Sequence, residues 1–227
     1  MEGYRNISMA NIWLDSTVKT YTDNFGIKTN PLVLDVGSRD GNSGYELAER
    51  ISGGVIDHKN IILFECNPKS QEVIRQNYPN AVLVEEAIFD VSGKTVDFVQ
   101  MKGDQNIVGS SSMDLNRVNE PWLKDYEIIK VKTKRLDEII EELGYQDTEI
   151  DICKIDIEHY TYEALVSLSK YLRNIRVFHL ETEPEPYARD KTNLDVALLM
   201  EQNGYKCCAL ENEWGESIQD QVWCRVD

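Results

Sequence analysis

The chain has 227 residues, enough for one large domain with a buried core. It carries 24 Lys and Arg against 40 Asp and Glu, a formal net charge of -16. That charge repels a phosphate polyanion and argues against a protein that grips nucleic acid by its backbone.

The five cysteines (Cys66, Cys153, Cys207, Cys208, Cys224) are odd in number and form no C-x-x-C. Reduced thiols are expected, neither a disulfide frame nor a zinc site. No apolar run reaches the length of a membrane span, and the N-terminus lacks a signal-peptide core, so a cytoplasmic protein is expected.

Residues 1–30 read as a helical extension. Met9, Ile12, Trp13, Leu14 and Val18 share one helical face running toward Phe25 and ended by Gly26. The extension either caps a site or covers one face of a sheet. Residues 31–227 read as the core of a single domain, with no repeat, low-complexity tract or linker to divide it. Pro31 to Val36 is a short apolar run, the pattern of a strand buried on both faces, with Asp35 near its carboxyl end. Gly37 and Gly41 then make a tight turn. Tyr45, Leu47, Ala48 and Ile51 carry a helical period that closes at Gly53-Gly54.

Strand, glycine turn and helix form the corner where open α/β sheets hold ligands, the glycines admitting close backbone approach. Arg39 stands where a dinucleotide fingerprint needs its middle glycine, and the Gly-Lys-Ser/Thr of a P-loop is missing. A second apolar strand, Ile61–Phe64, ends at Glu65, where Rossmann-like sheets place a carboxylate that accepts from ribose hydroxyls. Pro68 opens the next helix.

Ala81–Val84 and Thr95–Val99 read as strands about a turn at 90–94. Residues 102–120 are polar and irregular around Gly109-Ser110-Ser111-Ser112, either a mobile surface loop or a lid beside substrate. In the strand Ile128–Thr133 and just beyond it, Lys130, Lys132 and Lys134 share a face, as lysines of an exposed edge strand do. A helix from Arg135 ends at Gly144. Asp151–Glu158 is a core strand, followed by a helix with Tyr162, Leu165, Val166 and Leu168 on its apolar face. Asn174–Leu180 is the next strand, holding His179 as a core histidine and ending at Glu181. After a helix over Leu194–Met200 come two strands with no helix between them, Tyr205–Leu210 and Gln221–Val226. This order predicts an α/β, doubly wound, Rossmann-like seven-stranded sheet, mostly parallel with a C-terminal antiparallel hairpin.

The run Asp35-Val36-Gly37, completed by Gly41, resembles motif I of class I S-adenosylmethionine-dependent methyltransferases. Further motifs follow in order: Phe64-Glu65-Cys66-Asn67-Pro68, Glu86-Ala87-Ile88, Gly109-Ser110-Ser111-Ser112, Arg135-Leu136-Asp137-Glu138-Ile139 and Lys154-Ile155-Asp156-Ile157-Glu158. From Val33 to Tyr205 this series is similar to the FkbM-type O-methyltransferases. His159, Tyr160 and Thr161 depart from that family's usual Gly, small residue and Glu. The resemblance implies methyl transfer from S-adenosylmethionine to a hydroxyl of a sugar, a glycan or another small acceptor. It implies cofactor contacts at Asp35, Gly37, Ser38, Arg39, Gly41, Ser43, Glu65, Cys66, Asn67, Glu86, Ala87 and Asp156.

An alkyl hydroxyl is a poor nucleophile, so a positioned base or a metal must help remove its proton. Asp156, Glu158 and His159 leave the end of a core strand and are the catalytic candidates. Asp156 and Glu158 share strand parity and so one direction, unless the chain has already turned. His159 has the intrinsic pKa of a base. Asp156, Glu158 and Glu181 together offer an oxygen set for Mg²⁺ or Mn²⁺. Two other functions compete: a non-catalytic cofactor- or partner-binding module, suggested by residues 159–161, and a nicotinamide oxidoreductase, disfavoured by Arg39.

Overall fold

The structure, a computed structural model, describes residues 14–103, 109–119, 125–183, 191–213 and 218–226. Helix α1 (Asp15–Phe25) precedes β1 (Val33–Val36), α2 (Asn42–Ser52), β2 (Ile61–Phe64), α3 (Pro68–Asn77) and β3 (Val82–Val84). Then come β4 (Ala87–Ile88), β5 (Thr95–Met101), β6 (Tyr126–Lys134), α4 (Leu136–Glu142) and β7 (Ile150–Ile155). Helix α5 (Thr161–Leu168), β8 (Ile175–Thr182), α6 (Asn193–Gln202), β9 (Tyr205–Glu213) and β10 (Ile218–Arg225) complete the chain.

The main sheet has seven strands in the order β3-β2-β1-β7-β8-β10-β9. From β3 to β8 the pairs are parallel, and β10 runs antiparallel to both β8 and β9. This is the expected sheet with its C-terminal hairpin. The hairpin's second strand lies inside, and its first forms the edge. Alternation along β1 explains the two-sided core. Leu34 and Val36 pack with α4 and α5 residues such as Leu136, Ile140 and Leu165, whereas Val33 packs with Tyr21, Leu47, Ile51 and Ile74.

Helix α1 covers a face of the sheet. Its Tyr21 hydroxyl donates to buried Asp151, and its Thr17 hydroxyl lies 2.7 Å from His179 Nδ1. His179 is fully buried, as expected of a core histidine. Met9, Ile12 and Trp13, predicted to begin this helix, lie outside the described residues.

A second sheet, β4-β6-β5, projects between β3 and α4. The lysine strand β6 is the middle strand of this sheet and not the edge expected, pairing β5 along its length and β4 through Thr133 and Lys134. Lys130 pairs with Asp97 across the sheet, and Lys134 with Glu142. Arg135, sequence neighbour of these lysines, instead forms two hydrogen bonds to Asp137 at the start of α4.

Candidate active site

The carboxyl ends of β1, β2, β7 and β8 meet around the turn after β1. Ser38 secures that turn: its hydroxyl donates to the Asp35 carbonyl and accepts from the Phe64 N–H. Gly37 has φ +84° and Gly41 φ +83°, values that favour glycine. The space beside Gly37 is not left for a ligand, contrary to the expectation from its residue type, because the Asp156 backbone carbonyl fills it. A Cβ at Gly41 would lie 2.8 Å from the Tyr78 ring. The turn's glycines serve the packing of the corner itself. Ser43 sits in the first turn of α2, beside Gly44, whose N–H donates to Asp35 Oδ2 at 2.9 Å.

Glu65 follows β2 with its carboxylate anchored on both oxygens. Oε2 accepts from the Arg39 N–H and Oε1 from the Asn67 N–H, both at 2.8 Å. Burial pushes this carboxyl up to about 7, against the two N–H groups that favour its charge. The anchoring fixes the orientation of the group while each oxygen keeps a second lone pair. Asn67 in turn accepts from Gln100 and donates to the Ser111 hydroxyl. Cys66 packs on the small cluster of Ala87, Phe98 and Val131. Glu86 points to Lys134, 3.9 Å away, at the root of the second sheet.

Behind the turn lies a chain of buried charges. Lys154, 1 % exposed, places Nζ 2.8 Å from Asp156 Oδ2 and 3.6 Å from Asp35 Oδ1. Burial opposes its charge, but Asp156 and Asp35 hold the ammonium above its usual range. Burial raises Asp35. Asp156 is held low by Lys154 and by a hydrogen bond from Glu181, against its burial. Burial, and next the Asp156 charge, push Glu181 well up. Asp35 Oδ1 and Glu181 Oε2 are buried oxygens with no hydrogen-bond partner among the described residues.

Strand β7 ends at Ile155, not at residue 158, and the chain turns immediately. Glu158 and His159 have φ of +51° and +78°. The shared parity predicted for Asp156 and Glu158 is therefore lost. Asp156 points back to Lys154, while Glu158 Oε2 lies 3.0 Å from Arg117 Nη2. The predicted oxygen set of Asp156, Glu158 and Glu181 is divided accordingly. The ligand-type atoms within 4.8 Å of one another among the described residues belong to Glu158, His159 and Glu183.

Residues 109–119 of the predicted loop are folded down onto this end of the sheet. Ser112, Asp114 and Arg117 are all buried. Ser112 donates to the Glu158 carbonyl, and Asp114 Oδ2 lies 2.9 Å from His159 Nδ1. Asp114, Arg117 and Glu183 were not among the residues singled out by sequence. Their partners are remote in the chain, and only the serine run beside them was a signal.

With the β1 turn and the β2 carboxylate meeting over the middle of a sheet of this strand order, the class is that of S-adenosylmethionine-dependent methyltransferases. The chain belongs to the FkbM methyltransferase family: the sequence pattern of the methyltransferase FkbM domain matches residues 35–207. Solved structures similar to it include a magnesium protoporphyrin IX methyltransferase from Synechocystis with bound S-adenosylmethionine, 14% identical, covering 100% of this chain and 87% of that one, TM-score 0.48. A TehB-like S-adenosylmethionine-dependent methyltransferase from Corynebacterium glutamicum is 11% identical, covering 92% and 87%, TM-score 0.45. A precorrin-6y C5,15-methyltransferase from Geobacter metallireducens is 13% identical, covering 92% and 87%, TM-score 0.44. The comparison with curated proteins gave no match. Among the described residues no helix is long and apolar enough to cross a membrane.

Proposed function

We propose that the chain methylates a hydroxyl of a sugar, a glycan or another small acceptor. The observation that carries this reading is the anchored carboxylate of Glu65 after β2, held by the Arg39 and Asn67 N–H groups beside the 37–41 turn, with His159 just past the end of β7 in the same sheet. The donor set suits S-adenosylmethionine. Glu65 offers two oriented oxygens to ribose hydroxyls. Ser38, Arg39 and Asn67 lie beside it, whereas Cys66 and Ala87 pack in the cluster of Phe98 and Val131 and Glu86 turns to Lys134.

The bound cofactor supplies a methyl group already activated on a sulfonium. The chain's own residues then have three tasks. The 37–41 turn and Glu65 fix the position of the ligand, which sets the line of attack. Lys154 offsets the buried charges of Asp35 and Asp156 behind the turn. Glu158 and His159 stand where an acceptor hydroxyl would enter. Glu158 is engaged by Arg117, which makes it the weaker candidate for taking a proton. The divided carboxylates and the Arg117 guanidinium beside Glu158 do not favour a divalent cation.

Titration calorimetry with S-adenosylmethionine and with NAD, followed by labelled-methyl transfer to methyl glycosides, catechols and amines, tests the reading. Binding of S-adenosylmethionine alone and label on a glycoside oxygen are expected. Transfer confined to amine or carbon acceptors would overturn it.

A further inference from the structure

Two consecutive residues in the turn after β7 have positive φ, Glu158 at +51° and His159 at +78°. There a Cβ costs roughly 1–2 kcal/mol per residue. Residue 159 is where the family pattern usually has glycine, so a bulky side chain stands at a position suited to none. Such strain persists only where the surroundings hold it, and a strained residue in a crevice is a pointer to function.

His159 is held from two sides. Its N–H donates to Glu183 Oε1 at 3.0 Å, and its Nδ1 lies 2.9 Å from Asp114 Oδ2. Asp114 is itself fixed. Its Oδ1 accepts from the Asn116 N–H at 2.9 Å, and its own N–H donates to Ser112 Oγ at 3.0 Å. Ser112 Oγ donates in turn to the Glu158 carbonyl, also at 3.0 Å, closing a ring of bonds around the strained turn.

An ionised carboxylate can only accept, so the proton between Asp114 and His159 belongs to Nδ1. The lone pair is then on Nε2, which no hydrogen bond reaches among the described residues. His159 lines a small cleft with Thr161, Tyr162, Glu183 and Lys191, open to solvent between α5 and α6.

We propose that Asp114 and His159 form a dyad in which His159 Nε2 removes the acceptor's proton and Asp114 is the positioning residue that sets the tautomer. This rests on the hydroxyl-methylation reading above. In the step, the acceptor's O–H bond breaks toward Nε2 as its oxygen bonds to the methyl carbon. The carbon–sulfur bond breaks with its electron pair staying on sulfur, so the sulfonium becomes a neutral thioether. The proton rests on an imidazolium paired with the Asp114 carboxylate until solvent takes it. The same side chains could be read as a metal site, since Glu158, His159 and Glu183 cluster within 4.8 Å. Arg117, 3.0 Å from Glu158, already supplies the cation there.

Asp114→Asn separates the dyad from a structural contact. The amide oxygen remains needed by the Asn116 N–H, so the NH₂ faces Nδ1 and forces the proton onto Nε2. ¹⁵N-histidine spectra of the full chain should show His159 protonated at Nδ1 in the wild type and at Nε2 in the variant. With a methyl glycoside as acceptor, kcat should fall about 10²–10⁴-fold, while KM and cofactor affinity stay within roughly threefold. Asp114→Glu should recover part of that loss. A wild-type His159 protonated at Nε2, or undiminished turnover in Asp114→Asn, overturns the proposal. So does activity lost to EDTA and restored by Mn²⁺, which would make the cluster a metal site. Failure of the wild type to methylate any hydroxyl of the acceptor panel sinks the hydroxyl reading, and the tautomer then still decides whether Asp114 orients His159.

Discussion

The carbonyl oxygen of Asp156 stands where a side chain on Gly37 would begin: a Cβ built there would lie 1.7 Å from it. The first turn of the site and the end of β7 are thus in backbone contact, and residue 37 belongs to the sheet's framework as much as to any ligand.

Gly37→Ala should therefore destabilise the whole domain. Positive φ and the displaced carbonyl together cost about 2–5 kcal/mol. Urea unfolding measures this directly, and an unchanged midpoint would show that the turn relaxes freely.

Glu65 gives a prediction about protons as well as affinity. Glu65→Ala should weaken S-adenosylmethionine binding by about 1.5–3 kcal/mol, roughly 10–150-fold. Burial raises this carboxyl to about 7, so the free protein holds part of a proton there just below neutrality. Hydroxyl donors favour the carboxylate, so binding at pH 6.5 should release that proton. Calorimetry in two buffers of different ionisation enthalpy would detect the release. Its absence would place the ribose elsewhere. Without ligand the sign runs the other way. The raised pKa contributes stability that is complete below about 4.5 and is lost as pH rises through about 7.

Lys154→Met removes the cation between Asp35 and Asp156. Breaking a buried pair in this way costs about 3–5 kcal/mol. In the wild type Asp156 has a depressed pKa, so its contribution holds above about 4 and is flat between pH 5 and 8. Without Lys154 the same carboxyl titrates upward. The variant should lie closer to the wild type at pH 5 than at pH 8, as read by paired urea curves. Equal gaps at both pH values would mean that solvent already reaches Asp156.

His159→Gly should be more stable than His159→Ala by about 1 kcal/mol, because both lose the ring but only glycine is relieved of the positive φ. Thermal midpoints rank the two. Alanine ranking above glycine would mean the turn is not strained.

The strands were legible because their signals are local. Val33–Val36 and Ile150–Ile155 are mostly apolar and buried on every residue, and the glycines at 37 and 41 mark the turn after the first. Other features depend on distant partners. Nothing local tells that Ser112, Asp114 and Arg117 are buried, since they are fixed by Glu158 and His159 some 45 residues on. The parity of Asp156 and Glu158 failed for a related reason. A two-residue period holds only while the strand lasts, and β7 stops one residue before Asp156. Strands β5 and β6 were readable singly, yet β4 and the separation of all three from the main sheet were not, because pairing choice leaves no mark on a single strand.

The placing of β1 at the sheet's centre has a consequence for how the chain reaches this state. Val33 pairs with Ile61 on one side and with Ile152 on the other. The first partner arrives within one βα unit. The second arrives only after the whole second sheet has been made, and contacts so distant in sequence close slowly. Until they close, Val33–Val36, apolar except for Asp35, presents an open edge to any neighbouring chain. Refolding yield should then fall with protein concentration, a kinetic hazard set by topology.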